Sequence, residues 1–90
     1  MTDIVNNEAE HRFEMNVEGH IAAAYYELSD GVITFTHTEV PKELGGRGIG
    51  SQLAKAALAQ ARAKELKVVA QCSFMNGYIA KHPEYADLLK

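Results

Sequence analysis

Glu43-Leu44-Gly45-Gly46-Arg47-Gly48-Ile49-Gly50-Ser51 lies between a β-branched stretch ending at Val40 and an alanine-rich stretch opening near Gly50. Four glycines within six positions remove Cβ atoms, so that backbone N–H groups can converge on a ligand. A helix starting here adds its unpaired first-turn N–H groups and the positive end of its dipole. These are the parts of a phosphate cradle, in which Arg47 is either a basic contact or a solvated surface charge. Two familiar cradles fail on spacing. A Walker-A loop needs Gly-Lys-Ser/Thr, whereas Ser51 follows Ile49-Gly50. A G-x-G-x-x-G fingerprint read from Gly48 meets Leu53 in its last place, and read from Gly46 it meets Ser51.

Upstream of the loop, Val32 to Val40 alternates as a strand, with Ile33, Phe35, His37 and Glu39 on one face and Thr34, Thr36, Thr38 and Val40 on the other. Pro41 cannot donate to a ladder and ends it. Downstream, Ile49, Leu53, Ala57 and Ala61 recur at i, i+4, which predicts an amphipathic helix over Gly50 to Lys64. Lys67 to Gln71 then reads as a short buried strand, and a strand-helix-strand passage of this length is a right-handed crossover to a parallel neighbour.

Outward again, Asp30-Gly31 between two apolar runs is a hairpin signal, so Ile21 to Leu28 pairs with Val32 to Val40. Phe13, Met15 and Val17 alternate with polar residues from Arg12 onward, a further half-buried strand closed by Glu18-Gly19. Ile4-Val5 suggests a brief edge strand. Ser73 is placed to N-cap a short helix through Ala80, and Pro83 opens a last turn or two carrying Tyr85, Leu88 and Leu89. The fold class is therefore α/β: a mixed, mainly antiparallel twisted sheet with one β-α-β crossover and short C-terminal helices, in one domain spanning residues 1–90.

Composition bounds the function. Nine Lys+Arg against twelve Asp+Glu, a formal charge of −3, argues against nucleic acid or an anionic membrane as the main partner. No apolar run approaches the roughly 20 residues of a membrane span, and Met1-Thr2-Asp3 begins no secretory signal. The single cysteine has no disulfide partner and no metal-spaced companion, so no metal is expected and a reducing cytoplasm is the expected location. That cysteine, Cys72, follows a buried parallel strand and precedes a helix N-terminus, whose partial positive charge favours a thiolate. It is either a reactive group facing the crevice beyond the strand ends or a small buried hydrophobe. His37 is either a core histidine or a catalytic one, and Glu39 either a surface carboxylate or a general base.

Gly45-Gly46-Arg47-Gly48-Ile49-Gly50 resembles the acyl-CoA pyrophosphate loop of the GNAT acetyltransferases, Gln/Arg-x-x-Gly-x-Gly/Ala at the start of a helix. Its first position is Gly45 here, which leaves the basic contribution to Arg47. His37-Thr38-Glu39-Val40-Pro41, Cys72-Ser73-Phe74, Tyr78-Ile79 and Lys81-His82-Pro83-Glu84-Tyr85 extend the likeness, from Arg12 onward, to a very small single-domain GNAT-like family. The resemblance implies a GNAT-like core and an acetyl-CoA-dependent N-acetyltransferase acting on an amine, of a protein or a small molecule. It implies that Gly45, Gly46, Arg47, Gly48, Ile49, Gly50 and Ser51 hold pyrophosphate and that backbone groups at Glu39-Val40 pair with pantetheine. His37 or Glu39 would be the base. Cys72 would either accept the acetyl group or donate a proton to the leaving thiolate, with Tyr78 an alternative donor. The alternative from another class is a CoA-binding module without catalysis.

Overall fold

Phe13 and Met15, which alternate with Arg12, Glu14 and Asn16, are buried on one face of β2 (Arg12–Val17). The computed structural model describes residues 4–90; the Met1-Thr2-Asp3 start, read for a leader above, lies outside the described residues. Around β2 stand β1 (Ile4–Asn7), β3 (His20–Ser29) and β4 (Val32–Glu39), followed by helix α1 (Ile49–Ala63), β5 (Lys67–Ala70) and helix α2 (Ser73–Lys81). The five strands lie in chain order, three antiparallel pairings and then the parallel pair of β4 and β5. The chain is mixed α/β with a mainly antiparallel sheet, as the alternation, the Asp30-Gly31 hairpin and the crossover predict.

Helix α1 buries Ile49, Leu53, Ala57 and Ala61, with Ala54 and Leu58 beside them, against the face of the sheet that carries Phe13, Ala24, Tyr26 and Phe35. Small alanines bring the helix backbone close to the sheet, while the fully buried Leu53 and Leu58 supply about 1.5–3 kcal/mol each. The helix ends without a glycine. Leu66 N–H donates to the Ala61 carbonyl at 2.8 Å and Glu65 N–H to that of Arg62 at 3.1 Å, the two bonds of a Schellman turn, with Glu65 at φ 57° in the place glycine usually takes.

The faces of β4 differ from the alternation. Tyr26 pairs with Phe35 but Tyr25 pairs with His37, leaving Thr36 without a partner. This one-residue bulge inverts everything after it. Ile33 and Phe35 are buried as expected, whereas His37 and Glu39 turn to the opposite, solvent-facing side with Tyr25, and Thr38 takes the inward position opposite Ala24. Alternation cannot register a bulge, because each residue type after Thr36 is acceptable on either face.

Cys72, rather than Ser73, is the N-cap of α2. Its N–H and that of Gln71 both donate to the Phe35 carbonyl at 3.0 Å, which holds Cys72 extended (φ −77°, ψ 126°), so the helix begins at Ser73, one residue earlier than expected. A 3-10 segment, Pro83–Leu88, returns the chain to α1 and β5, where Leu89 forms a parallel bridge to Val68. No helix among the described residues is long and apolar enough to cross a membrane.

Arg62 fastens this last segment, donating to both carboxylate oxygens of Asp87 at 2.9 and 3.0 Å and to the Glu84 carbonyl at 2.7 Å. The Arg62 hydrogen bonds hold the Asp87 carboxyl below its ordinary value. A carboxyl depressed in the folded state adds stability above its unfolded value of 3.8 and loses that stability as pH falls. Asp87→Asn should therefore unfold at a lower temperature than the wild type near neutral pH, with the gap closing as pH drops through the carboxylate range. Melting curves across that range check this, and the pair would have no role if the gap were absent or independent of pH.

Candidate active site

The loop glycines serve two different physical ends. Gly46 and Gly48 hold φ of 81° and 70°, and a Cβ built on either would meet nothing within 4 Å. The backbone there is left-handed and open to whatever lies above it. Gly48 is the N-cap of α1, with no side chain to satisfy the first-turn N–H groups of the helix. Gly50 is different: a Cβ would stand 2.8 Å from the Phe74 ring, so its missing side chain makes room for an aromatic of α2. The loop is anchored by Leu44, which is buried, and by Leu44 N–H donating to the Pro41 carbonyl at 2.9 Å.

An open cavity of about 360 Å³ lies over this loop. The structure brings Val40, Gly45, Gly46, Gly48, Ile49, Gly50 and Ser51 together on its walls and adds Thr38, Leu44 and Phe74, to which the sequence had given no role. Arg47 is on the same loop, but its guanidinium is turned to Glu18, 3.2 Å away in the β2–β3 turn, with both side chains substantially exposed.

At the other end of the cavity the sheet forks. Pairing of β4 with β5 stops at Phe35 and Ala70, just where Thr36 bulges. Thr38 on one branch and Cys72 on the other approach again, Oγ1 to Sγ, at 3.2 Å. Cys72 is 8% exposed and is not itself on the cavity wall, which it meets only by touching Thr38.

The remaining candidates stand apart from the cavity walls. His37 Nε2 and Glu39 Oε2 are 2.7 Å apart on the opposite side of the sheet, both exposed. His37 stacks on Tyr25 with ring centroids 5.7 Å apart, and Arg12 donates to the Tyr25 hydroxyl at 3.1 Å and to Glu14 at 2.7 Å. Arg12 and Asn7 hold the Glu14 carboxyl below its ordinary value. Tyr78 is buried, its ring stacked on His82 with centroids 4.0 Å apart. Burial pushes its phenol above the ordinary value, and Tyr85 and Glu84 add to the rise. Among the described residues, no group of three or more His, Cys, Asp or Glu could hold a metal ion.

Thr38 and Glu18 could not have been found from their neighbours in sequence, since one depends on the bulge and the other on how a distant turn folds over the loop. Phe74 had a signal, as an aromatic two residues after Cys72 that the burial pattern of a short helix does not require.

The model of the GCN5-related N-acetyltransferase family matches residues 12–88. Protein NATD1 of Gallus gallus is 36% identical over 59 residues, 66% of this chain and 54% of that protein. Protein NATD1 of Homo sapiens is likewise 36% identical over 59 residues, covering 52% of its length. The match thus spans about half the length of these curated relatives. In three dimensions the chain resembles the solution structure of a GCN5-like N-acetyltransferase candidate from Staphylococcus aureus, with a TM-score of 0.77 and 33% identity over 98% of this chain and 87% of the other. The glycine loop opening α1, the forked β4–β5 pair and this match across nearly the whole described sheet agree: the chain belongs to the GCN5-related N-acetyltransferase family.

Proposed function

We propose that the protein is an acetyl-CoA-dependent N-acetyltransferase acting on an amine of a protein or a small molecule. The observation that carries this reading is the continuity of the site: an open cavity runs from the glycine loop to Thr38, and Thr38 touches Cys72 at the fork. The residues fit a CoA thioester. Space over Gly46 and Gly48 is clear for a diphosphate to approach the backbone, and Val40, Leu44, Ile49 and Phe74 offer apolar walls to a longer arm. Acetyl-CoA supplies the activated acetyl group.

The chain's own part begins with binding. The loop N–H groups and the first turn of α1 hold the diphosphate, with Arg47 exchanging Glu18 for it. Backbone groups at the Glu39-Val40 strand end, beyond the last pairing with β5, pair with the arm, and an N–H there polarises its carbonyl. His37 or Glu39, hydrogen-bonded to each other on the opposite, solvent-facing side of the sheet, is the base for an amine that enters the fork from that side. Cys72, with its sulfur against the Thr38 hydroxyl, is the thiol at the reacting end. It either carries the acetyl group or returns a proton to the leaving thiolate.

Incubation with acetyl-CoA followed by intact-mass measurement tests the reading. A hydroxylamine-labile gain of one acetyl group in the wild type, absent in Cys72→Ser, is expected if Cys72 carries the group. Slower transfer in Cys72→Ala with no such adduct in the wild type is expected if Cys72 is the proton donor. Transfer unaffected by Cys72→Ala, with stability lower by about 1 kcal/mol, would leave Cys72 a packing residue. Binding without any transfer to an amine or to the protein would make this a CoA-binding module.

A further inference from the structure

Tyr25 stands between two neighbours on the face of the sheet away from α1. Arg12, its partner on β2, donates from Nη1 to the Tyr25 hydroxyl at 3.1 Å and holds its Cζ 5.7 Å from the ring centroid. His37, its partner on β4, stacks on the ring from the other side, with centroids 5.7 Å apart and planes 28° from parallel. The line continues at both ends. Arg12 Nε reaches Glu14 at 2.7 Å and Asn7 donates to the same carboxylate oxygen at 3.1 Å, while His37 Nε2 lies 2.7 Å from Glu39. Side chains of neighbouring strands from β1 to β4 thus lean on one another, from Asn7 to Glu39.

The line is graded. Arg12 and Glu14 are 22% and 24% exposed, His37 and Glu39 57% and 63%, so the firm end is at β2 and the free end at the His37–Glu39 pair. Ordered long side chains on a solvated face return little stability for the rotamer freedom they lose, and folding alone does not require the row. The register makes the central contact specific. Without the bulge at Thr36, Tyr25 would face Thr36 and His37 would point into the core; the extra residue sets His37 beside Tyr25. A histidine this exposed samples several rotamers unless a neighbour blocks them, and a base works only when held at proton-transfer distance. Resting on the function proposed above, we propose that Tyr25 is a positioning residue for the base: its ring, itself braced by Arg12, fixes the His37 imidazole against Glu39, ready for an amine entering the fork. In that step the amine nitrogen bonds the acetyl carbon, the carbon–sulfur bond breaks with its electron pair leaving on sulfur, and the proton of the nitrogen passes to the pair.

Two readouts on the whole chain test this. The His37 χ1 rotamer, measured by three-bond NMR couplings, should be single in the wild type and in Tyr25→Phe and averaged in Tyr25→Ala. Transfer from acetyl-CoA to a mixture of short primary amines and a lysine-containing peptide, followed by release of the CoA thiol, should slow about tenfold in kcat in Tyr25→Ala. KM for acetyl-CoA should stay unchanged, and Tyr25→Phe should recover the rate to within about twofold. Tyr25→Ala should add nothing in a His37→Ala background. Arg12→Met keeps the ring and removes its brace, so it should move both readouts the same way by less, and it carries the test where Tyr25→Ala does not fold. An unchanged rotamer in Tyr25→Ala, a loss that Tyr25→Phe does not restore, or a loss undiminished in the His37→Ala background would overturn the assignment. A wild type that releases no thiol ends the proposed function and this inference with it, whereas equal transfer with and without the Tyr25 ring sinks this inference alone.

Discussion

Arg47→Glu is expected to weaken CoA binding about a hundredfold, a loss of about 2–4 kcal/mol, while leaving the fold intact. The reversal acts twice. It removes the cation nearest the open backbone of Gly46 and Gly48, and it places a carboxylate beside Glu18, whose own carboxylate stands 3.2 Å from the present guanidinium. A diphosphate would then face two negative side chains where it now faces a neutralised pair. Exposed ion pairs contribute little to stability, and Arg47 and Glu18 are both exposed, so the melting temperature should barely move. Calorimetry showing undiminished CoA affinity in a folded Arg47→Glu variant would remove the loop from the binding site.

Phe35→Ala is expected to have the largest effect on stability, about 3–5 kcal/mol, a sizeable part of the 5–15 kcal/mol typical of a whole domain. Phe35 has no exposed surface and lies among Phe13 and Tyr26, each with a ring centroid 6.5 Å away. Truncation leaves a cavity that the flanking strands cannot close, because the Phe35 carbonyl holds the N–H groups of both Gln71 and Cys72. Denaturant titration measures this against Phe74→Ala, whose half-exposed ring should cost far less. Similar midpoints for the two variants would mean that the core at the fork is not the anchor described.

Most of the fold was legible because its signals are local. The Arg12–Val17 alternation, the Asp30-Gly31 turn and the i, i+4 row from Ile49 to Ala61 each specify an element without help from the rest of the chain. The glycine loop and its position before a helix were equally readable, and so was the parallel neighbour reached through that helix. What escaped was set by tertiary register. The Thr36 bulge moves His37 and Glu39 off the core face and Thr38 onto it. Cys72 takes the cap from Ser73 because a carbonyl in another strand holds it extended. Gly50 looked like its neighbours in the loop, and only the ring above it separates a packing glycine from a conformational one.

The bulge at Thr36 also gives the sheet a boundary in an unusual place. Edge strands normally lie at the outside of a sheet, where their free N–H and C=O groups invite pairing with other chains. From His37 to Glu39, β4 is in effect an edge enclosed by its own molecule, paired to β3 on one side and released from β5 on the other. It is only a few residues long and faces the cavity walled by the start of α1 and by Phe74 rather than the outside of the sheet. Under the function proposed above, its free groups meet the cofactor's arm in the manner of strand addition. A liability of β-proteins is thereby turned inward.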